Sequence, residues 1–424
     1  MTNNNNIIKM VAGLDIGNGY VKGSIAINGF ENISSVDYLS GVAIQTSSHD
    51  IKVKPEEAKE IISDIYNYME ASFDSSAVEN KSTRLFGRRG ISSGKSTEEF
   101  DVSSTISKAT QDLSGVLVLG SLAGKALQVY YDRNGVIPTE TLKVEARLSL
   151  ALPISEYKIY RKAYADKFKS STHMVSIGNF ESPVRVEIVI TDVTVTAEGA
   201  SAQYAIASRG KVLMDAMLKD LRTRGEKLEG VTSEDILAAE NIISVDIGEG
   251  TVNFPVFQNG RFNPDASMTF AKGYGTVLEQ ARERLQEKNL PFNSRKALAD
   301  FLLKKPNALN KNRYNMVKNI VDEELQGFTI EVIQEFRKAI SRVGSYTEVV
   351  YVYGGGATPV KEFLYPQLIN VAKNLGGEDV AYPVLYLDSK YSRYLNKEGL
   401  FVIAKQVFYQ DLKKKAETSK AQTK

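Results

Sequence analysis

Two short glycine-rich segments hold the residues of this 424-residue chain that could do chemistry. Asp15-Ile16-Gly17-Asn18-Gly19-Tyr20-Val21 recurs as Asp246-Ile247-Gly248-Glu249-Gly250-Thr251-Val252, with Asp, Ile, both Gly and Val in place. Glycine at these positions lets backbone N–H groups approach phosphate oxygens without a clashing Cβ. An Asp at a strand end can hold hydrated Mg²⁺, which prefers carboxylate oxygens and retained waters. In the first copy Lys22 follows at a spacing that returns a cation to the phosphates. A single copy reads equally as a tight hairpin turn, because Gly punctuates turns. Two copies with a shared downstream offset favour a phosphate clamp: Asn28-Gly29 and Asn259-Gly260 each lie thirteen residues after their Asp.

A third element is Val349 to Tyr353 running into Gly354-Gly355-Gly356 and then a helix over Val360 to Leu375. Three glycines exceed what a strand-to-helix turn needs, which favours close approach of a phosphate or a flat ligand to that backbone.

These segments need strands on either side. Met10 to Leu14 and Ile242 to Val245 are apolar runs ahead of each Asp. Each copy therefore reads strand, D-x-G-x-G turn, strand, Asn-Gly hairpin, strand. A unit present once per half points to two related domains. Elsewhere the pattern predicts a helix over Pro55 to Met69, an exposed basic loop over 80–112 with Arg84, Arg88, Arg89 and Lys95, and a buried strand over Ser114 to Leu119. Val184 to Val195 reads as a strand. Helical spacing covers 211–222, 232–239, 274–288, 294–304 and Leu400 to Leu412, with two or three amphipathic helices over 314–343 and a frayed polar tail from Lys413.

Composition bounds the chemistry. The chain is 42% hydrophobic and 25% charged, ordinary for a globular protein. It has no cysteine, which removes disulfides and thiolate catalysis, and only His49 and His173, which removes a histidine metal cage. Net charge is +2, so no global field argues for direct DNA binding or an anionic membrane. Thr2 to Asn6 lacks the order of a signal peptide, and no run of about 18 apolar residues suggests a membrane span. The expected location is cytoplasmic.

With these motifs assembled, the chain resembles the actin, heat-shock chaperone and sugar kinase superfamily of ATPases. Asp15 to Lys22 resembles its first phosphate motif and Asp246 to Val252 its second. Thr196-Ala197-Glu198-Gly199-Ala200-Ser201-Ala202 resembles the first connecting segment. Gly354 to Pro359 resembles the adenosine motif, and Lys397-Glu398-Gly399-Leu400-Phe401 the second connecting helix. Within the superfamily it is similar to plasmid-segregation actins of the ParM type. The resemblance implies an α/β fold of two related domains, each around a mixed five-stranded sheet with flanking helices, and a nucleotide cleft between them. Residues 1–205 with 396–424 would form the first domain, with a small insertion over about 31–115, and residues 206–395 the second, with a helical insertion over about 272–345.

It also implies bound ATP or GTP with Mg²⁺, Asp15 and Asp246 reaching the metal through water, and Glu198 positioning the water that attacks the γ-phosphate. Nucleotide contacts would come from Asp15, Gly17, Asn18, Gly19, Tyr20, Lys22, Asp246, Gly248, Glu249, Gly250, Thr251, Gly354, Gly355 and Gly356. Asn18 stands where many actins carry Ser or Thr, so its contact would be an amide. Glu249 would turn toward metal or ribose, or away. Base and ribose contacts are expected somewhere in 314–343. The implied activity is a hydrolase whose filaments segregate plasmid DNA through a DNA-binding adaptor at a centromere-like site, with neither DNA nor membrane bound directly. Alternatives in the same superfamily are a cell-shape actin and a soluble small-molecule kinase.

Overall fold

A computed structural model describes residues 7–46, 52–101, 106–224, 228, 230–343, 346–376, 382–387 and 389–422. Thr2 to Asn6, His49, Thr423 and Lys424 lie outside the described residues. The chain divides into two compact units, Met1–Ala205 with Asn396–Lys424, and Ile206–Leu395.

Unit 1 is built on strands β1 (Ile7–Ile16), β2 (Tyr20–Ile27), β3 (Ile33–Leu39), β4 (Val42–Gln45), β5 (Glu70–Asp74), β6 (Thr83–Phe86), β7 (Thr97–Glu98), β8 (Leu142–Leu152), β9 (Thr172–Ile177) and β10 (Val184–Ala197). They form a 10-stranded sheet in the order β3-β2-β1-β8-β10-β9-β5-β6-β4-β7. The β1–β2 and β2–β3 pairs are antiparallel, and β8 joins β1 and β10 in parallel. Beyond β10 every pairing is antiparallel.

Unit 2 holds β11 (Ile242–Ile247), β12 (Val252–Phe254), β13 (Val256–Gln258), β14 (Arg261–Phe262), β15 (Met268–Phe270), β16 (Val349–Tyr353) and β17 (Val384–Tyr386) in a 7-stranded sheet. Here β15 and β12 are antiparallel neighbours leading to β11, and β16 and β17 follow in parallel. The run β15-β12-β11-β16-β17 thus repeats β3-β2-β1-β8-β10 in order and direction. The expected five-stranded set is present in both units, lengthened in each by further strands. Asn28 and Asn259 have φ of 52° and 50°, as tight Asn-Gly hairpins require.

The helices are α1 (Ala58–Ser63), α2 (Ile65–Tyr68), α3 (Gly87–Ser92), α4 (Asp112–Asn134), α5 (Ile154–Lys169), α6 (Ala200–Thr223), α7 (Ser233–Ala238), α8 (Tyr274–Glu287), α9 (Arg295–Leu303), α10 (Lys311–Val343), α11 (Ala357–Gly376), α12 (Ser389–Ser392) and α13 (Leu395–Gln422). The expected Pro55 to Met69 helix is a 3-10 turn, Pro55–Glu57, followed by α1 and α2, broken at Asp64 where φ is −116° and ψ is 35°.

Four further sequence expectations are corrected. Ser114 to Leu119 is not a strand but lies within α4. Every residue from Leu113 to Leu127 is buried, so the helix is covered on all faces and carries no clear 3.6-residue period to betray it. This helix is long and apolar enough to cross a membrane by composition, yet its apolar stretch lies in the core of unit 1. Burial of each large side chain there is worth roughly 1.5–3 kcal/mol.

The 80–112 segment is not an exposed loop. Its described residues include β6, α3 and β7, and three of its cations, Arg84, Arg89 and Lys108, are buried or half-buried. Arg84 is 1% exposed and donates from Nε to Glu98 Oε2 at 2.8 Å. Arg89 donates to Glu70 Oε2 at 2.7 Å. Only Arg88 and Lys95 of the four are exposed. Finally, 314–343 is part of one helix of 33 residues. Its apolar stripe, Val317, Ile320, Val321, Leu325, Phe328, Val332, Phe336 and Ile340, keeps a three-to-four spacing without a phase break. The tail likewise continues as helix to Gln422.

Candidate functional site

In unit 1, Asp15 is the penultimate residue of β1 and stands opposite Lys22 in the β1–β2 ladder. The chain reverses through Gly17, Asn18 and Gly19, all half-buried, and closes with Gly17 N–H donating to the Tyr20 carbonyl at 3.0 Å. Ser40, fully buried after β3, ties the turn from behind. Its hydroxyl donates to the Gly17 carbonyl at 2.6 Å and its N–H to the Gly19 carbonyl at 3.1 Å. Two carbonyl oxygens that would repel an anion are thereby spent.

Glu198 sits in the two-residue link between β10 and α6. Its N–H donates to the Leu152 carbonyl at 2.7 Å, and Gly199, at φ 78°, turns the chain into the helix. Lys108 Nζ donates to Glu198 Oε1 at 2.6 Å, with side chains 5% and 13% exposed. Burial pushes the Asp15 carboxyl above its ordinary range; Lys22 opposes this, Glu198 adds to it and Lys108 opposes it again. Burial pulls Lys108 down, but the Glu198 charge and hydrogen bond, then Asp15, outweigh it and leave the ammonium above its usual value. Asp15, Lys22, Lys108 and Glu198 are thus one electrostatic group of two acids and two bases.

Sequence reasoning missed Lys108, placing it in an exposed loop. Its position depends on α5, far away in sequence. The Ser107 hydroxyl donates to Glu156 Oε2, and Lys167 Nζ donates to the Ala109 and Gln111 carbonyls at 3.3 and 3.1 Å. No local pattern near residue 108 records those contacts.

In unit 2 the second turn repeats the first. Gly248 N–H donates to the Thr251 carbonyl at 2.9 Å, matching Gly17 and Tyr20. Asp246, 4% exposed, stands opposite Asn253, so the position equivalent to Lys22 is neutral. The Gly248 and Glu249 carbonyls accept from Tyr274 and Gly275 at the start of α8, at 3.0 and 2.8 Å. Gly250 is buried, and Thr251 half-buried. Glu249 turns toward Arg295, with Nη2 to Oε1 at 3.9 Å.

The triple glycine packs on this turn. Gly354 has φ 106°, and a Cβ there would stand 2.3 Å from the Ile247 carbonyl oxygen and 2.6 Å from Asp246 Oδ1. Gly356 N–H donates to the same Ile247 carbonyl at 2.8 Å. Gly354 and Gly356 are therefore required by packing within unit 2, while Gly355 is exposed and open to a ligand. Among the described residues no cluster of three or more His, Asp or Glu forms a metal cage.

Residues 244–365, from β11 into α11, match the sequence profile of the family described as archaeal actin homologue MreB-like, C-terminal. The stretch contains the second turn and the triple glycine. No curated protein matches by sequence. Among solved structures, the actin-like protein Alp7A is 18% identical with a TM-score of 0.62, covering 98% of this chain and 100% of that one. The Bacillus thuringiensis ParM with ATP is 16% identical with a TM-score of 0.58, over 95% of this chain and 99% of that one. The archaeal actin homologue Ta0583 is 11% identical with a TM-score of 0.57, over 94% and 99%. Identities this low speak to fold, and the shared five-stranded sets with their paired glycine turns say the same: the chain has the actin-like fold.

Proposed function

We propose that this chain is an actin-like nucleoside triphosphatase that assembles into filaments and segregates plasmid DNA. The observation that carries the proposal is the group of Asp15, Lys22, Lys108 and Glu198 at the first D-x-G-x-G turn, together with the second turn of the same bond pattern. Gly17, Asn18, Gly19 and Tyr20, and Gly248, Glu249, Gly250 and Thr251, are the backbone contacts to phosphate in this proposal, with Gly355 the open glycine beside the nucleoside. Glu198, held by its own backbone and by Lys108, orients the water that attacks the terminal phosphorus.

Mg²⁺ fits the chemistry of Asp15. Burial disfavours the charged carboxylate, and a divalent cation beside it restores the ionised form. In this proposal Asp15 and Asp246 would each reach such an ion through water, as hydrated Mg²⁺ allows. When bound, it neutralises charge on the phosphates.

Loss of the terminal phosphate removes contacts made only by the triphosphate, and a filament of such subunits loses stability on hydrolysis. A net charge of +2 gives the chain no global field that would drive it onto DNA. A DNA-binding adaptor at a centromere-like site is therefore proposed as the link to the plasmid. Support comes from fold-level similarity to ParM and Alp7A. Light scattering after addition of Mg-ATP or Mg-GTP, followed by electron microscopy, tests assembly. A monodisperse subunit that phosphorylates a small molecule would favour the kinase instead.

A further inference from the structure

The donors of the Lys108 ammonium point to a ligand for it. An ammonium carries three N–H donors. Among the described residues Lys108 Nζ spends one, on Glu198 Oε1 at 2.6 Å. The Phe100 ring, 5.3 Å away, offers a π face and no lone pair. The side chain is 5% exposed, so water reaches it poorly. A buried cation with unspent donors is costly unless an anion receives them. Lys108 also lies close enough to Asp15 for their charges to be felt mutually. It therefore shares one charge group with both acids, hydrogen-bonded to Glu198 and within the field of Asp15.

We propose that Lys108 is the group that reads the third phosphate: one N–H positions the Glu198 carboxylate and another donates to a terminal phosphoryl oxygen. The proposal rests on the nucleotide reading above and deepens it. A diphosphate has no oxygen at that place, so Lys108 favours triphosphate over diphosphate. Its position is built in, because Ser107 is tied to Glu156 and the carbonyls of Ala109 and Gln111 to Lys167, both on α5. The same contact couples recognition to hydrolysis, since the ammonium that touches the terminal phosphate also fixes Glu198.

Calorimetric titration of the full chain with Mg-ADP and a non-hydrolysable Mg-ATP analogue tests this. Wild type should prefer the triphosphate. Lys108→Met should weaken triphosphate binding roughly 10- to 100-fold, the worth of one charge-assisted hydrogen bond, and leave diphosphate binding near its wild-type value. Lys108→Arg should recover part of the preference. Because Lys108→Met leaves Glu198 without its cation, Lys108→Met/Glu198→Gln is measured beside it; it removes both charges and should still lack discrimination. An unchanged triphosphate-to-diphosphate ratio in both variants would overturn the proposal and leave Lys108 with a structural role. Binding of neither nucleotide by the wild type would overturn the nucleotide reading itself, and this inference with it.

Discussion

A methyl group on Gly399 would stand 1.8 Å from the carbonyl oxygen of Ser201. This is where α13 crosses the first turn of α6, just beyond Glu198, and Asn396 Oδ1 lies 3.1 Å from the Ser201 hydroxyl at the same crossing. The backbones meet so closely that only glycine fits. Gly399→Ala would gain about 1 kcal/mol of helix propensity, but the obstacle is backbone, which cannot rotate away. Net destabilisation of about 1–3 kcal/mol is expected, read as a lower denaturant midpoint. A midpoint equal to or above wild type would mean that the crossing is looser than described.

Removing the Asp15 or Asp246 carboxylate should abolish Mg-nucleotide function. Titration of Asp15→Ala and Asp246→Ala with Mg-ATP measures this directly. Wild-type affinity with normal hydrolysis in both would withdraw the metal assignment.

Glu198→Ala should still bind ATP and assemble, while hydrolysing about 10²- to 10⁴-fold more slowly. Filaments of this variant should persist longer. Phosphate release at an undiminished rate would move the water-orienting role elsewhere.

His173 supplies a pH signature independent of nucleotide. The ring is fully buried, with Nδ1 2.7 Å from the Ser75 hydroxyl and Nε2 2.8 Å from the Phe168 carbonyl. Burial pushes its pKa below the ordinary value, and the Phe168 hydrogen bond only partly opposes this. The unfolded chain takes up a proton near pH 6.5 that the folded chain resists. This contribution is complete above about pH 6.5 and is lost as pH falls toward the lower folded value. Thermal midpoints between about pH 7 and about pH 5 should therefore fall less steeply in His173→Gln than in wild type. Parallel slopes would refute it.

Legibility in the sequence followed physical visibility. The two glycine turns could be read because Asp15 and Asp246 each precede the same Gly-x-Gly pattern and the same downstream hairpin. β10 and α8 could be read because period and residue type agree there. α4 could not, since fifteen consecutive buried residues from Leu113 to Leu127 erase the period. Arg84 and Lys108 were misplaced for a related reason: each pairs with an acid on another element, Glu98 on β7 or Glu198 before α6, and charge alone reads as surface. The triple glycine was visible as unusual, but its division into two packing residues and one open one depends on Ile247 and Asp246 lying beneath it.

Assembly is the most direct test. The purified chain at micromolar concentration, given Mg-ATP or Mg-GTP with neither DNA nor membrane present, should scatter light and show filaments by electron microscopy. Those filaments should disassemble as nucleotide is hydrolysed, and the protein alone should not bind DNA tightly at physiological salt. A monodisperse subunit under every nucleotide condition would contradict the filament claim, and tight DNA binding by the chain itself would contradict the adaptor.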